Sequence, residues 1–501
     1  MRNRKPLYLY LVLGFLVFIF MSNLSFYGPR GSDQFWYMQE TEALLTLNKP
    51  ISNYYYAGYY WRDGFNEKDN YFIHHNLAHY IVLPFASVFG VYAGWIFTSV
   101  LSILLGTFLL IRAAYKATMS HKVAVLAGMI FLLLPITAWQ SFNILQESII
   151  AAYMCCGVWI WERSVNAKQH NLFYNVIGGL FGAVGVFIHP IFTIWCIGWM
   201  LKIFLDRENI RSLRLWSPSC VTLFSLLAAQ YFKNIFFPTE FFPTLGAMIS
   251  NNSMTYYFDY QLHEPTFQMI RDKALTALNQ QFAVKDKAIM FFYPFNALLG
   301  LFFAAIVFNY KKHKIAGLTH FILPIFLLAA FFCMISLHQN QFRYNLIITP
   351  IILIAVVMVF GKFIATKLSD IRVKFGIMLL FSLFIITDVY LSHYIAKDAR
   401  ADAVVINQIK QGMPDASRDQ KVLFVFKSLD LSIGWSLYPR SILYLPAKNL
   451  QSPESIVVVR KFNPRYVMIQ KTVTDDVEKN LPLVLKKVPF EPGRLFEVIE
   501  K

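Results

Sequence analysis

Apolar residues in this chain fall in long, nearly unbroken runs rather than at the alternating or one-face spacing of a soluble domain. Such runs occur near 7–23, 91–112, 123–139, 147–161, 172–188, 190–205, 216–236, 289–309, 317–336, 345–361 and 375–393. Taken as segments that cross a hydrocarbon layer of about 30 Å, they predict about eleven transmembrane helices. Two long polar stretches, 24–90 and 237–288, interrupt the series. Within the first, 34–48 is predicted to be a helix closed by Pro50, and 78–89 is apolar but too short to span. Beyond residue 397 the pattern changes. Short β-like runs at 421–426, 455–460 and 466–470, with a predicted helix at 475–486, mark a small α/β domain. The chain therefore divides into a membrane portion, 1–396, and a C-terminal domain, 397–501, of a size that can bury its own core.

Composition strengthens this reading. Apolar residues make up 56% of the chain and charged residues 15%, against about 25% charged in soluble domains. The net charge of +17 would suggest nucleic acid in a soluble protein, but here its placement follows the positive-inside rule instead. Arg2, Arg4 and Lys5 precede the first span, and Arg112, Lys116 and Lys122 follow the second. Arg163 and Lys168 follow the fourth, Lys202, Arg207, Arg211 and Arg214 the sixth, Lys311, Lys312 and Lys314 the eighth, and Lys362, Lys367, Arg372 and Lys374 the tenth. Every second loop is basic. This predicts a cytoplasmic N-terminus, outer loops at 24–90 and 237–288, and an outer C-terminal domain. No small-residue cleavage site follows the first apolar run, which is read as an uncleaved span. Without an organellar targeting signal, the expected location is a bacterial inner membrane with the C-terminal domain in the periplasm. All five cysteines lie inside apolar runs, so neither disulfides nor a Cys metal site is expected.

The candidate chemistry gathers on the predicted outer side. Asp33 stands a few residues beyond the first span, at the head of the predicted helix and beside aromatics. A carboxylate there is placed to act as a general base on a lipid-borne substrate, or else to cap the helix. The aromatics at 54–61 suit interfacial anchoring or stacking on sugar rings. Glu147 ends a very short outer loop, His189-Pro190 interrupts an apolar stretch at the outer surface, and Arg343-Tyr344 precedes a late span containing Pro350. Arg343 can snorkel to headgroups or grip a phosphate with two parallel hydrogen bonds. His189 reads equally as a hydrogen-bonded structural residue. His75 and His79 have helical spacing, but no intervening Glu completes a zinc-protease pattern, and no metal site is assigned.

The order and sidedness of these residues resemble the GT-C class of membrane glycosyltransferases. Those residues are Asp33 with Tyr37 four positions on, Glu147 in the second outer loop, and Arg343-Tyr344 before a Pro-containing span. The membrane portion is similar to the aminoarabinose transferases acting on lipid A, the protein O-mannosyltransferases and the rhizobial lipopolysaccharide sugar transferases. The resemblance implies inverting transfer of a sugar from a polyprenyl-phosphate donor to a lipid, glycan or protein acceptor on the outer face. It implies Asp33 as general base, with Tyr37, Glu147, His189, Arg343 and Tyr344 in the binding site. It names no certain cofactor, and a divalent metal stays open. Two departures stand out: Gln34 follows Asp33 where many relatives have a second acid, and the basic position before a span is His189. A polyprenyl-phosphate donor needs no nucleotide, and no Gly-rich phosphate loop is present. The competing readings are a multi-pass transporter or lipid-linked glycan flippase, and a polysaccharide polymerase or ligase. Transporters place ionisable groups near the bilayer midplane in repeated halves, a pattern this sequence lacks. Polymerases and ligases would carry their functional loop late in the chain.

Overall fold

The computed structural model describes residues 32–48, 54–56, 77–141, 146–166, 171–189, 191–205, 289–313, 322–327, 345–413, 420–427, 439–450, 452–473, 479–488 and 493–500, with a few single positions besides. The expected spans at 7–23 and 216–236, and most of that at 317–336, lie outside the described residues.

The chain enters with α1 (Ser32–Leu47), followed by a short strand β1 (Tyr54–Tyr56) and α2 (Leu77–Phe89). Gly90 then turns the chain with φ +82°, a conformation that needs no Cβ, and α3 (Val91–Thr118) runs back. The two helices approach so closely that a Cβ at Gly94 would lie 2.5 Å from the Ala86 Cα. Helix α3 ends at Met119 in the left-handed conformation, and Ser120 caps α4 (His121–Leu133) by accepting the Val123 N–H. Pro135 lacks an N–H and crowds the preceding turn, so α5 (Pro135–Ser141) continues at 56° to α4.

Helices α6 (Glu147–Asn166), α7 (Asn171–Ile188) and α8 (Phe192–Leu205) form successive hairpins, followed by α9 (Ile289–Phe308) and α10 (Asn345–Lys367). The final helix, α11 (Ile371–Gly412), has 42 residues, about 63 Å at 1.5 Å per residue. Only its first part, Ile371–His393, is apolar enough to cross a membrane. The rest carries the chain through the expected 396/397 boundary as one unbroken helix into the C-terminal domain. Among the described residues, four helices are long and apolar enough to span, or five if α4 and α5 form one bent span. Nearly all the apolar face of α10 is buried, whereas α11 leaves Phe375, Met378, Leu383 and Ile386 exposed, as a helix at a lipid-facing edge would.

The C-terminal domain is a six-stranded sheet in the order β1-β3-β2-β4-β6-β5. It comprises β2 (Lys421–Phe426), β3 (Ser441–Pro446), β4 (Tyr466–Gln470), β5 (Val484–Val488) and β6 (Gly493–Glu500), with α12 (Pro453–Phe462) crossing from β3 to β4. Strands β1 to β4 are mutually parallel, and β6 and β5 complete the sheet antiparallel. Both faces of β2, β3 and β4 are covered, which is why β2 reads as a continuous apolar run. Val422, Phe424 and Phe426 face one core, and Leu423 and Val425 face the other.

Two segments of the C-terminal domain differ from the sequence expectation. Residues 455–460 were expected as strand but belong to α12, whose Ser452 accepts the Ser455 N–H and whose Pro453 fits the first helical turn. Of the helix expected at 475–486, residues 475–478 lie outside the described residues, 479–483 are not α-helical, and Val484–Val488 is instead strand β5, paired with β6. Pro482 lies just before that strand, where it cannot continue a helix.

Candidate functional site

The directions of the helices decide which candidate residues share a region. Tyr153 on α6 donates its hydroxyl to the Phe181 carbonyl on α7, and Trp195 on α8 donates to the Gly178 carbonyl, so these helices alternate in direction. The end of α10 lies against the end of α3, where a Cβ on Gly361 would meet Thr118. A Cβ on Gly128 of α4 would meet Ile111 of α3, so α4 returns to the level of the start of α3, from which α5 leads to α6. The start of α3, Glu147 at the head of α6, His189 after α7 and Asn345 at the head of α10 therefore lie at the end of the bundle where α1 sets Tyr37 against Trp95 and Phe35 into the core of the sheet domain. The opposite end carries Arg112, Lys116, Lys122, Arg163, Lys367 and Arg372.

At the sheet end, α1 lays one face on the α2–α3 hairpin. Tyr37 joins the membrane core, with its ring 5.4 Å from His79 and 5.6 Å from Trp95. Three and four residues on, and so on the same helical stripe, come Glu40 and Thr41. Glu40 and His79 are both fully buried and meet at 3.2 Å, at ion-pair distance though off the line of a good hydrogen bond. The Thr41 hydroxyl donates to the Tyr37 carbonyl at 2.9 Å and accepts from the Trp95 indole N–H at 2.8 Å. Its oxygen also lies 3.2 Å from His79 Nδ1. Trp95 can only donate, so Thr41 must be its acceptor. If the single Thr41 proton serves the Tyr37 carbonyl, His79 Nδ1 must carry a proton of its own.

Thr41 is thus the hub of a buried polar network. Thr41→Val keeps the shape but strands the Trp95 N–H, and is expected to destabilise the protein by about 1–3 kcal/mol. Thr41→Ser should retain near wild-type stability. Unfolding in detergent measures both, and a Thr41→Val protein as stable as wild type would remove the hydroxyl as hub. Near the network, burial pushes the half-buried Glu42 carboxyl up. The Tyr80 phenol is also raised, first by burial and then by the negative charge of Glu40.

Asp33 is the second residue of α1, one turn before Tyr37. Glu147 is the first residue of α6 and 1% exposed, so its carboxylate sits at a helix N-terminus, where backbone N–H groups favour negative charge. His189 is buried at the end of α7, and its Nδ1 accepts the Ile191 N–H at 3.2 Å, which shapes the turn into α8. That tautomer leaves the proton on Nε2. Arg343 and Tyr344 lie outside the described residues, directly before α10. His75 also lies outside them, while His79 serves Glu40 and Thr41. Among the described residues, no group of three or more His, Cys, Asp or Glu side chains is arranged to hold a metal ion. Of the cysteines, Cys155, Cys156 and Cys196 are free thiols, and Cys220 and Cys333 lie outside the described residues.

Sequence reasoning missed Glu40, Thr41 and Trp95. The available signal was the spacing of Tyr37, Glu40 and Thr41, which puts polar groups on the same helical stripe as a buried aromatic.

No protein-family model matches the sequence, and no curated protein sequence matches it. Solved structures do. ArnT from Cupriavidus metallidurans bound to undecaprenyl phosphate superposes with a TM-score of 0.65 at 11% identity, over 99% of this chain and 98% of that one. The same protein in the apo state gives a TM-score of 0.61 at 12% identity, over 97% of each chain. Arabinofuranosyltransferase AftD from Mycobacteria gives 0.53 at 11% identity, over 99% of this chain and 41% of its own. The resemblance to aminoarabinose transferases expected from the spacing of Asp33, Glu147 and Arg343 is therefore met at the level of architecture. Sharing nearly its whole length with ArnT, this polytopic helical protein with its small sheet domain has the GT-C membrane-protein fold.

Proposed function

We propose that the protein is an inverting glycosyltransferase that moves a sugar from a polyprenyl-phosphate donor to an acceptor on the outer face of the membrane. The observation that carries this reading is the collection of Tyr37, Glu147, His189 and the head of α10 at one end of a fold shared end to end with a protein solved with undecaprenyl phosphate bound. Basic residues concentrate at the other end, which supports a cytoplasmic side there and an outer side at the sheet. About eleven spans remain our reading of the membrane portion, with the sheet domain in the periplasm.

In this mechanism Asp33 takes the proton of the acceptor hydroxyl as its oxygen bonds to the sugar's anomeric carbon. The bond from that carbon to the donor phosphate breaks on the opposite face, which inverts the centre. The polyprenyl phosphate leaves with the bonding pair. Arg343, directly before α10, stabilises the charge on that phosphate. Tyr37, Glu147, His189 and Tyr344 shape the pocket.

Binding of the lipid phosphate tests the reading without knowledge of the sugar. Undecaprenyl phosphate added to the detergent-solubilised protein is expected to raise its Tm and to survive as a one-to-one adduct in native mass spectrometry. Undecaprenol, which lacks the phosphate, is expected to do neither. Equal effects of the two lipids, or none, would remove the polyprenyl-phosphate donor.

A further inference from the structure

Helix α1 is held by two different cores. Tyr37 and Met38 belong to the core of the membrane bundle. Phe35, with no accessible surface, belongs instead to the core of the C-terminal domain, with Ile406 and Ile409 of α11, Met413 just beyond it, and Val422 and Ile442 of the sheet. Residues two apart on a helix point about 200° from each other at 3.6 residues per turn, so Phe35 and Tyr37 leave α1 on opposite sides. The first turn of α1 is thereby sandwiched between the bundle and the sheet domain.

The same polar loop is gripped a second time. Tyr54–Tyr56 adds to the sheet as β1, in register with Ile442–Tyr444 of β3. The receiving surface is tied to the last span as well. Arg440, 1% exposed, donates through its guanidinium to the Met413 carbonyl just beyond α11 and to Gln420 Oε1 at the start of β2. A 42-residue helix rooted in the bundle thus carries the pocket into which Phe35 fits. Side chains that merely closed the small domain could all have come from residues after 397. This core instead takes a phenylalanine from the first polar loop, two positions after Asp33.

We propose that the C-terminal domain is a positioning device for the catalytic helix, with Phe35 as the positioning residue that sets where the first turn of α1, and so Asp33, lies. This rests on the reading of Asp33 as the base. The domain need not touch the substrate to be required for transfer. A misplacement of about 1 Å at a reacting group costs on the order of 10²-fold in rate.

The test uses the full-length protein in lipid nanodiscs with Phe35→Ala, Phe35→Leu and, from the other side of the contact, Ile409→Ala. Two quantities are read for each variant: amide hydrogen exchange over residues 32–47, and steady-state transfer from radiolabelled undecaprenyl-phosphate sugars. In Phe35→Ala, exchange in the first turns of α1 should rise and kcat should fall about 10²-fold, with the donor KM near wild type. Phe35→Leu should recover most of both, and Ile409→Ala should reproduce the pattern more weakly. On an Asp33→Asn background, Phe35→Ala should cost little further, because the two act through one group.

Unchanged exchange in Phe35→Ala would overturn the clamp. Raised exchange with an unchanged kcat would overturn its role in catalysis, and so would a full further loss on the Asp33→Asn background. A wild-type rate for Asp33→Asn alone would overturn the base assignment itself. That failure is distinguishable, because it shows with Phe35 intact.

Discussion

Replacing Asp33 by asparagine is expected to lower sugar transfer by about 10²- to 10⁴-fold while the protein inserts and folds normally. That range is what a positioned general base contributes when it takes a proton in the transition state. Asparagine is the informative substitution because it serves as well as aspartate at helix starts. A purely structural Asp33 would make Asp33→Asn nearly silent, whereas Asp33→Ala would cost about 0.5–2 kcal/mol of stability. The structure sharpens this contrast. Position 33 is the second residue of α1, inside the helix rather than ahead of it. The segment is also held by Tyr37 in one core and Phe35 in the other, so its location does not depend on a cap. Transfer should be compared at matched membrane levels with a polyprenyl-phosphate sugar as donor. Equal rates for wild type and Asp33→Asn would leave the GT-C fold without this mechanism.

The second large effect is expected at Arg343, two positions ahead of Asn345 in the sequence, where α10 begins. Hydrogen bonds to charged groups are worth about 1.5–3 kcal/mol, so Arg343→Ala should weaken donor use by roughly one to two powers of ten. Arg343→Lys keeps the charge but loses the planar fork, and should recover only part of that loss. The readout is the donor KM, together with the Tm shift produced by undecaprenyl phosphate. A near-normal donor KM in Arg343→Ala would place the residue among those that snorkel to headgroups. Pro350 lies well inside α10, which is buried along nearly its whole apolar length.

The membrane portion was legible in the sequence because a lipid solvent imposes a crude and local requirement. A helix crossing it must be apolar over nearly its whole length, whatever it packs against. The runs at 91–112 and 345–361 accordingly became α3 and α10, each somewhat longer than the apolar run itself. Helix α1 and strands β2 and β4 were also readable, since breakers and short β-branched or aromatic runs are local signals. Residues 455–460 show where a local signal misleads. Their Ile-Val-Val-Val run suits a strand, yet the Ser452 cap, Pro453 and the crossover needed between the parallel strands β3 and β4 make them helix α12.

What the sequence by itself determined, then, is the membrane class, the helices of the described apolar runs, the presence of a small α/β domain and the naming of Asp33, Glu147, His189 and Arg343 as candidates. Only the tertiary structure decided their partners. It set Glu40 and Thr41 against His79 and Trp95, turned His189 Nδ1 onto the Ile191 N–H, recruited Tyr54–Tyr56 into a sheet formed nearly 400 residues later, and gave Phe35 to the core of the C-terminal domain. The reason is physical. Hydrophobic periodicity records that a face is buried, because burial is roughly proportional to area and indifferent to which apolar surface supplies the contact. The identity of that surface is set by the packing of the whole chain, and no window of sequence contains it.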